Sequence, residues 1–381
     1  MTFIGLTWDH PRGYNALAET ARRVNAGRVQ PLIHWNKQPL EGFESAPIRD
    51  LAERNDLLVM DHPHIGEAIA EDCFWALEDL YPAERLAFWR RDSVGPSAAS
   101  YLWGGSTWAL PLDVATQVMA RRADRLPEPP ESWDEIIALA ARLPVAQSLA
   151  GPHAVLTLMS MVAGAGGSVG GEDFLPVAEG AAALETMHRL HARRPTASEM
   201  LNPIGLLEAM AWGEDIALVP LVFGYVTYAA PGHAPRVVRF SDTLRQGGGA
   251  GGVMGGTGIA FSRRSQPTPE LLDYIASLLA APTQVEVFTA FGGQPSARAA
   301  WRDAGVNDAW GNFYRGTLAT AETALLRPRF DGYIAFQTAA AQCVRLALER
   351  REEPETTLAD LRTLWRLARQ KARGHLDDRK G

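Results

Sequence analysis

The first hundred residues alternate between strand and helix patterns, and no other feature limits the possible folds as much. FIGLTW (3–8) is a short apolar run of strand type, and NALAETARRVNA (15–26) puts Leu17, Ala21 and Val24 on one helical face. VQPLIHW (29–35) predicts a second strand and IRDLAERN (48–55) a short helix. DLLVMD (56–61) is a continuous apolar run of the kind found in strands buried on both faces, and IGEAIAEDCFWAL (65–77) returns to helix. Repeated strand and helix of this kind imply parallel strands joined by right-handed crossovers.

In such a sheet, ligands bind beyond the carboxyl ends of the strands. The residues following each predicted strand are therefore the first candidates for a site. They are Trp8, Asp9, His10 and Arg12 after the first, His34, Trp35 and Asn36 after the second, and Asp61, His62 and His64 after the third. All three groups would leave the sheet at one edge.

The texture changes after Trp103. WGGSTWALPLDVATQVMARRADRL (103–126) reads as a glycine turn, a strand and a long apolar continuation. Ser132 and Glu135 in LPEPPESWDEIIALAARL have the spacing of a capping box. Residues 150–245 read as mainly helical, with a flexible break at MVAGAGGSVGG and a strand-like run at IALVPLVFGYVTY. The glycine-rich QGGGAGGVMGGTG leads into a strand, IAF, whereas a dinucleotide fingerprint leads from strand to helix. A helical pair follows, with Pro282 at its junction, then a helix-ending turn at Gly292 and Gly293, and the last sixty residues read as helices ending in a charged tail.

Bulk properties exclude some classes. With 381 residues the chain is too long for one ordinary core, so two domains are expected. A net charge of −7 argues against nucleic acid as a partner. No stretch has the apolar length of a membrane helix. Cys73 and Cys343 fit neither a disulfide framework nor a CxxC motif and are expected to be buried free thiols. No leader is recognisable before the first strand, so the chain reads either as cytosolic or as a mature protein whose leader has been removed.

Five stretches, in this order along the chain, carry a resemblance: DLLVMDHPHIGEA, ALPLDVATQVMARRADRL, PESWDEIIALA, GGTGIAFSRRS and GGQPSARAAW. Together they are similar to the family 1 extracellular solute-binding proteins, the sugar-type receptors of ABC importers. The resemblance implies an α/β, type II periplasmic-binding-protein-like fold, with two lobes joined by a hinge and a ligand cleft between them. The first lobe would take 1–111 and 255–310, and the second 112–254 and 311–381. The hinge would lie near 110–113, 254–257 and 307–312. It further implies a small-molecule ligand, a carbohydrate or related polar solute, captured by closure and delivered to a transporter permease. No cofactor, no metal and a monomeric state are expected, in a periplasmic or extracellular location, with the cytoplasm left open.

Sugar rings lie against aromatic faces and donate hydroxyls to acids and amides. The candidates for this are Trp8, Trp35, Trp108, Phe223, Tyr225 and Tyr228, with Asp9, Asp61, Asp113 and Gln117 as acceptors. Gly255 and Gly256 would let backbone N–H groups approach a ligand, and Gln294 and Arg298 follow the glycine turn. His10, His34, His62 and His64 could with Asp61 be metal ligands, though their spacings match no zinc signature, and with Arg12 they raise the alternative of an anionic group on the ligand. Each candidate has a plainer reading as core, cap or solvated loop. Two other functions stay open: a cytosolic binder of an anionic or acyl-conjugated molecule with no transporter, and a carboxylate- or metal-dependent hydrolase. No GxSxG motif or recognisable Cys and His pairing supports a nucleophile.

Overall fold

The computed structural model describes residues 2–40, 42, 46–246 and 248–378. Gly247 of the glycine-rich run and the last three residues of the charged tail lie outside the described residues. The chain divides into two compact units. Unit 1 comprises the chain up to Val114, Gly255–Val306 and Arg329–Asp331; unit 2 comprises Ala115–Met254, Asn307–Pro328 and the chain from Gly332 onwards.

Unit 1 is built on strands β1 (Phe3–Trp8), β2 (Ile33–Gln38) and β3 (Leu57–Met60). They are parallel in the order β2-β1-β3, with the later strand β9 (Met254–Phe261) antiparallel against β3. Helix α1 (Pro11–Asn25) makes the first crossover, and α2 (Ile48–Ala52) and α3 (Ile65–Ala70) flank β3. The side-chain period of two sorts the sheet's residues between two cores. Leu57, Val59, Ile259 and Phe261 join Leu17, Leu271 of helix α9 (Pro269–Leu278) and Ile275 on one face. Leu58, Met60 and Ala260 join Ile65, Phe74 and Tyr101 on the other. This is why the LLVM of β3 shows no polar position: both of its faces are covered.

Three elements differ from the sequence expectation. The first helix starts at Pro11, four residues before Asn15, because His10 supplies an N-cap and Pro11 presets the first helical φ. Arg12 and Tyr14 therefore sit on helix, not on loop. Strand β2 runs to Gln38, so His34, Trp35 and Asn36 lie within it and not beyond its end. The expected helix over 65–77 stops at Ala70. Asp72 takes a left-handed φ of 49°, and Phe74 then pairs antiparallel with Ser262 beside β9. Elsewhere local signals hold: Ser132 Oγ accepts from the Glu135 N–H at 3.1 Å, and Gly292 ends its helical segment with φ 75°.

Between β3 and the long strand β6 (Leu110–Arg122) lies a small hairpin, β4 (Leu102–Trp103) and β5 (Ser106–Thr107). In unit 2, β6 pairs antiparallel with β7 (Leu218–Phe223) and with β8 (Val238–Ser241). Met119, Leu218, Leu190 and Ile136 meet in one of its cores. Helix α6 (His153–Gly164) is buried on every side, which explains why HAVLTLMSMVAG carries no charged residue apart from the ionisable His153. Two long helices, α10 (Tyr333–Arg350) and α11 (Pro354–Asp378), pack against each other near the C-terminus. Both cysteines are free. Cys73 is buried and Cys343 only half-buried, and burial raises their thiols to about 12 and about 11, so neither is a nucleophile at neutral pH.

Candidate functional site

The candidate surface of unit 1 is the edge where β1 and β3 end. Because β9 runs antiparallel to β3, with Met60 opposite Gly258, its first residues lie at the same edge. Gly255 and Gly256, which the sequence left as a hinge and a place of close backbone approach, therefore lie at the edge where Asp61 and His62 follow β3, and Gly256 takes a φ of +98° that favours glycine.

At the end of β1 the side chains form one packed group. The indole of Trp8 stacks on the imidazole of His10, with ring centroids 4.9 Å apart and planes within 8°. The guanidinium of Arg12 lies over the same indole at 5.7 Å. Gly13 makes this possible, since a Cβ there would fall 2.0 Å from Trp8 Nε1. Thr7 Oγ1 donates to the Gly13 carbonyl at 2.9 Å and closes the turn. His10 Nδ1 accepts from the Arg12 N–H at 3.1 Å, so the ring is neutral with its proton on Nε2. Burial, then the Arg12 charge, lowers the His10 pKa to about 4, with Asp9 acting in the opposite direction. Asp9 itself is exposed and pairs with Lys37 at 2.7 Å.

Arg12 and Asp113 form a buried bidentate ion pair. Arg12 Nε donates to Asp113 Oδ2 at 2.9 Å and Arg12 Nη2 donates to Oδ1. Asp113 Oδ2 also accepts from the Gln294 N–H at 3.2 Å. Gln294 Nε2 donates to the Val114 carbonyl at 2.9 Å, and Val114 N–H to the Gln294 carbonyl at 2.7 Å. Asp113 and Gln294 thus hold the turn after Gly293 against β6.

At the end of β3, Asp61 caps a single turn by accepting from the His62 N–H at 2.8 Å, and its Oδ1 lies 3.1 Å from His62 Nδ1. His62 and His64 are both buried. The His62 ring meets the edge of Tyr101, whose hydroxyl donates to the Met60 carbonyl at 3.1 Å. Tyr101 was not among the residues singled out from the sequence. Its one local signal was an aromatic residue next to the WGG hairpin.

The other predicted residues have different surroundings. Trp35 faces the helix-covered core and donates from Nε1 to Tyr274 at 3.2 Å, which makes it a packing residue. Trp108 is half-buried and donates to the Trp103 carbonyl at 2.9 Å. Arg298 donates to the Arg91 carbonyl at 2.7 Å. In unit 2, Gln117 is fully buried. Its Oε1 accepts from Ser160 Oγ at 2.6 Å, and Ser160 Oγ accepts from the Val253 N–H at 2.9 Å, so Gln117 ties elements of that unit together. Phe223 ends β7, half-buried, edge-on to His153 at 5.7 Å; Tyr225 caps the turn Val226–Ala229 that follows, Tyr228 lies within it, and both are buried. Among the described residues no group of three or more histidine, cysteine or acidic side chains has the geometry of a metal site. No helix among them is long and apolar enough to cross a membrane.

No protein-family model matches the chain. Solved structures do. An ABC-transporter solute-binding protein of Agrobacterium radiobacter K84, in complex with ribitol, superposes with a TM-score of 0.79 at 19% identity, covering 95% of this chain and 97% of that one. Maltose-bound MalE3 of T. maritima gives 0.79 at 17% identity, covering 96% and 99%. The sugar-binding protein MalE of Xanthomonas citri gives 0.77 at 15% identity, covering 99% of both. Along almost its whole length, the chain has the fold of the two-lobed solute-binding proteins of ABC importers.

Proposed function

We propose that this protein is the solute-binding component of an ABC importer. It captures a small polyhydroxylated molecule, a carbohydrate or polyol, and transfers it chemically unchanged to a membrane permease. The observation that carries this reading is the end-to-end likeness to ribitol- and maltose-bound receptors. The chemistry of the unit 1 strand ends supports it: the partly exposed Asp61 carboxylate and the His10 imidazole, which is backed by the buried Trp8 indole, are groups that a hydroxylated solute can meet. In this reading His10, backed by the buried Trp8 indole, Asp61 and Gly255–Gly256 form the unit 1 wall of the solute site. Binding favours the closed arrangement because the solute gains contacts there that it lacks in the open one. The protein acts as a monomer, in the periplasm or outside the cell, and performs no catalysis. Two of the carboxylates a hydrolase would use already have partners, Asp113 on Arg12 and Asp9 on Lys37.

The test is a thermal-shift screen of sugars, polyols, organic acids and acyl conjugates. A solute at a hundred times its Kd should stabilise the protein by about 2.7 kcal/mol. A hit among sugars or polyols supports the proposal. A screen in which only acids or acyl conjugates respond would replace it with the transporter-free reading.

A further inference from the structure

We infer that the Arg12–Asp113 pair sets the charge selectivity of this edge, so that it takes uncharged polyhydroxylated solutes and rejects their carboxylate or phosphate counterparts. The inference rests on the receptor reading above and goes beyond it by naming what decides the ligand's charge. On sequence alone Arg12, among histidines at a strand end, looks like an anchor for an anion. In the structure two nitrogens of its guanidinium already engage a carboxylate, and both partners are more than nine-tenths buried.

Asp113 has no room to give way. Its own strand is fixed by hydrogen bonds on both sides, from Val114 to Gln294 and from Ser296 Oγ to the Pro111 carbonyl at 2.6 Å. The Gln294 N–H holds the carboxylate from a third direction. An incoming anion would have to share one guanidinium with a fixed carboxylate. In a buried site like charges in such proximity repel strongly. Lys37 is paired with Asp9, and His10 is held neutral at pH 7 by burial. A neutral polyol meets no such penalty, because its hydroxyls can donate to carboxylate oxygens.

Arg12 still shapes this edge, since its guanidinium carbon lies over the Trp8 indole at 5.7 Å. Asp113 acts through Arg12 and is in that sense a positioning residue.

The experiment is calorimetric titration of the full chain with probe pairs that share a carbon skeleton and differ in charge: ribitol against ribonate, and maltose against maltobionate. For the unmodified protein we expect the neutral member of at least one pair to bind more than tenfold tighter than the acid. Asp113→Asn should release the guanidinium and strengthen acid binding at least tenfold, with a salt dependence that the neutral probe does not show. Should Asp113→Asn fail to fold, the double variant Arg12→Gln/Asp113→Asn removes both charges together. Its neutral-to-acid ratio should fall to within about threefold of unity. Acid binding as tight as polyol binding in the unmodified protein overturns the inference. So does an unchanged ratio in the folded variants. If no sugar or polyol, neutral or acidic, binds either here or in the screen above, the receptor reading fails and this inference falls with it.

Discussion

At the scale of the residue, burial decides chemistry more than identity does. His153 begins α6 with its ring enclosed and Nδ1 unpartnered among the described residues. Burial, followed by the charges of Arg327 and Arg345, lowers its pKa to about 3. The helix N-terminus adds to this by disfavouring a positive charge. The unfolded chain protonates this histidine near pH 6.5 and the native state only near 3, so between those values the unfolded state binds more protons. Stability from this residue is therefore complete above about pH 6.5 and is lost as the pH falls towards 3. His10, lowered to about 4, contributes with the same sign. We expect urea unfolding to show stability falling with acidification below pH 6.5, with His153 contributing up to about 1.4 kcal/mol per pH unit. His153→Leu should remove that portion of the slope. An unchanged slope in the variant would show that the buried ring does not titrate as described.

At the scale of the element, the start of α1 is where fold and function meet. One imidazole caps the helix through Nδ1 and stacks on Trp8 through its face, so the cap fixes the geometry of the candidate wall. His10→Ala should cost about 1 kcal/mol through loss of the cap. His10→Asn, which can still accept from the Arg12 N–H, should recover most of that stability but not the stacking on Trp8. Denaturant melts of the two variants check the cap. Titration of each with whichever solute the screen identifies separates the cap from the wall. Equal stability of the two variants would mean that the cap contributes nothing. The same contrast explains why the glycine turn at 292–293 was readable and the role of Gln294 was not. Gly292 needs only its own left-handed φ, whereas Gln294 depends on β6, which lies 180 residues earlier.

At the scale of the whole molecule, the chain passes between its two units at Val114–Ala115, Met254–Gly255 and Val306–Asn307, and again on either side of Arg329–Asp331. The short return is anchored by Arg329, which donates to the carbonyls of Ala99 and Ser100 at 2.7 and 2.9 Å and lies over Trp103 at 5.4 Å. In the proposed function the units move on binding, and a chain that passes between them several times keeps them joined as they do. A solute that raises the melting temperature should therefore also lower the radius of gyration measured by solution scattering. Stabilisation with an unchanged radius would show binding without closure.

The sequence by itself determined what depends on neighbours within a few residues. The order of strands and helices, the doubly covered β3, the Ser132 cap and the glycine helix end all follow from side-chain period and backbone preference. It also placed Trp8, His10, Asp61 and His62 at one edge of a sheet, because parallel strands share the direction in which they end; that Gly256 lies at the same edge follows only from the antiparallel pairing of β9. Only the tertiary structure decided which of these side chains are already occupied. Arg12 looked like a free cation until Asp113, 101 residues away, was found against it, and Trp35 looked like a site residue until Tyr274, 239 residues away, accepted its indole N–H. The reason is physical: a buried polar or charged group must find a partner, and sequence spacing does not reveal which distant group the fold brings to it.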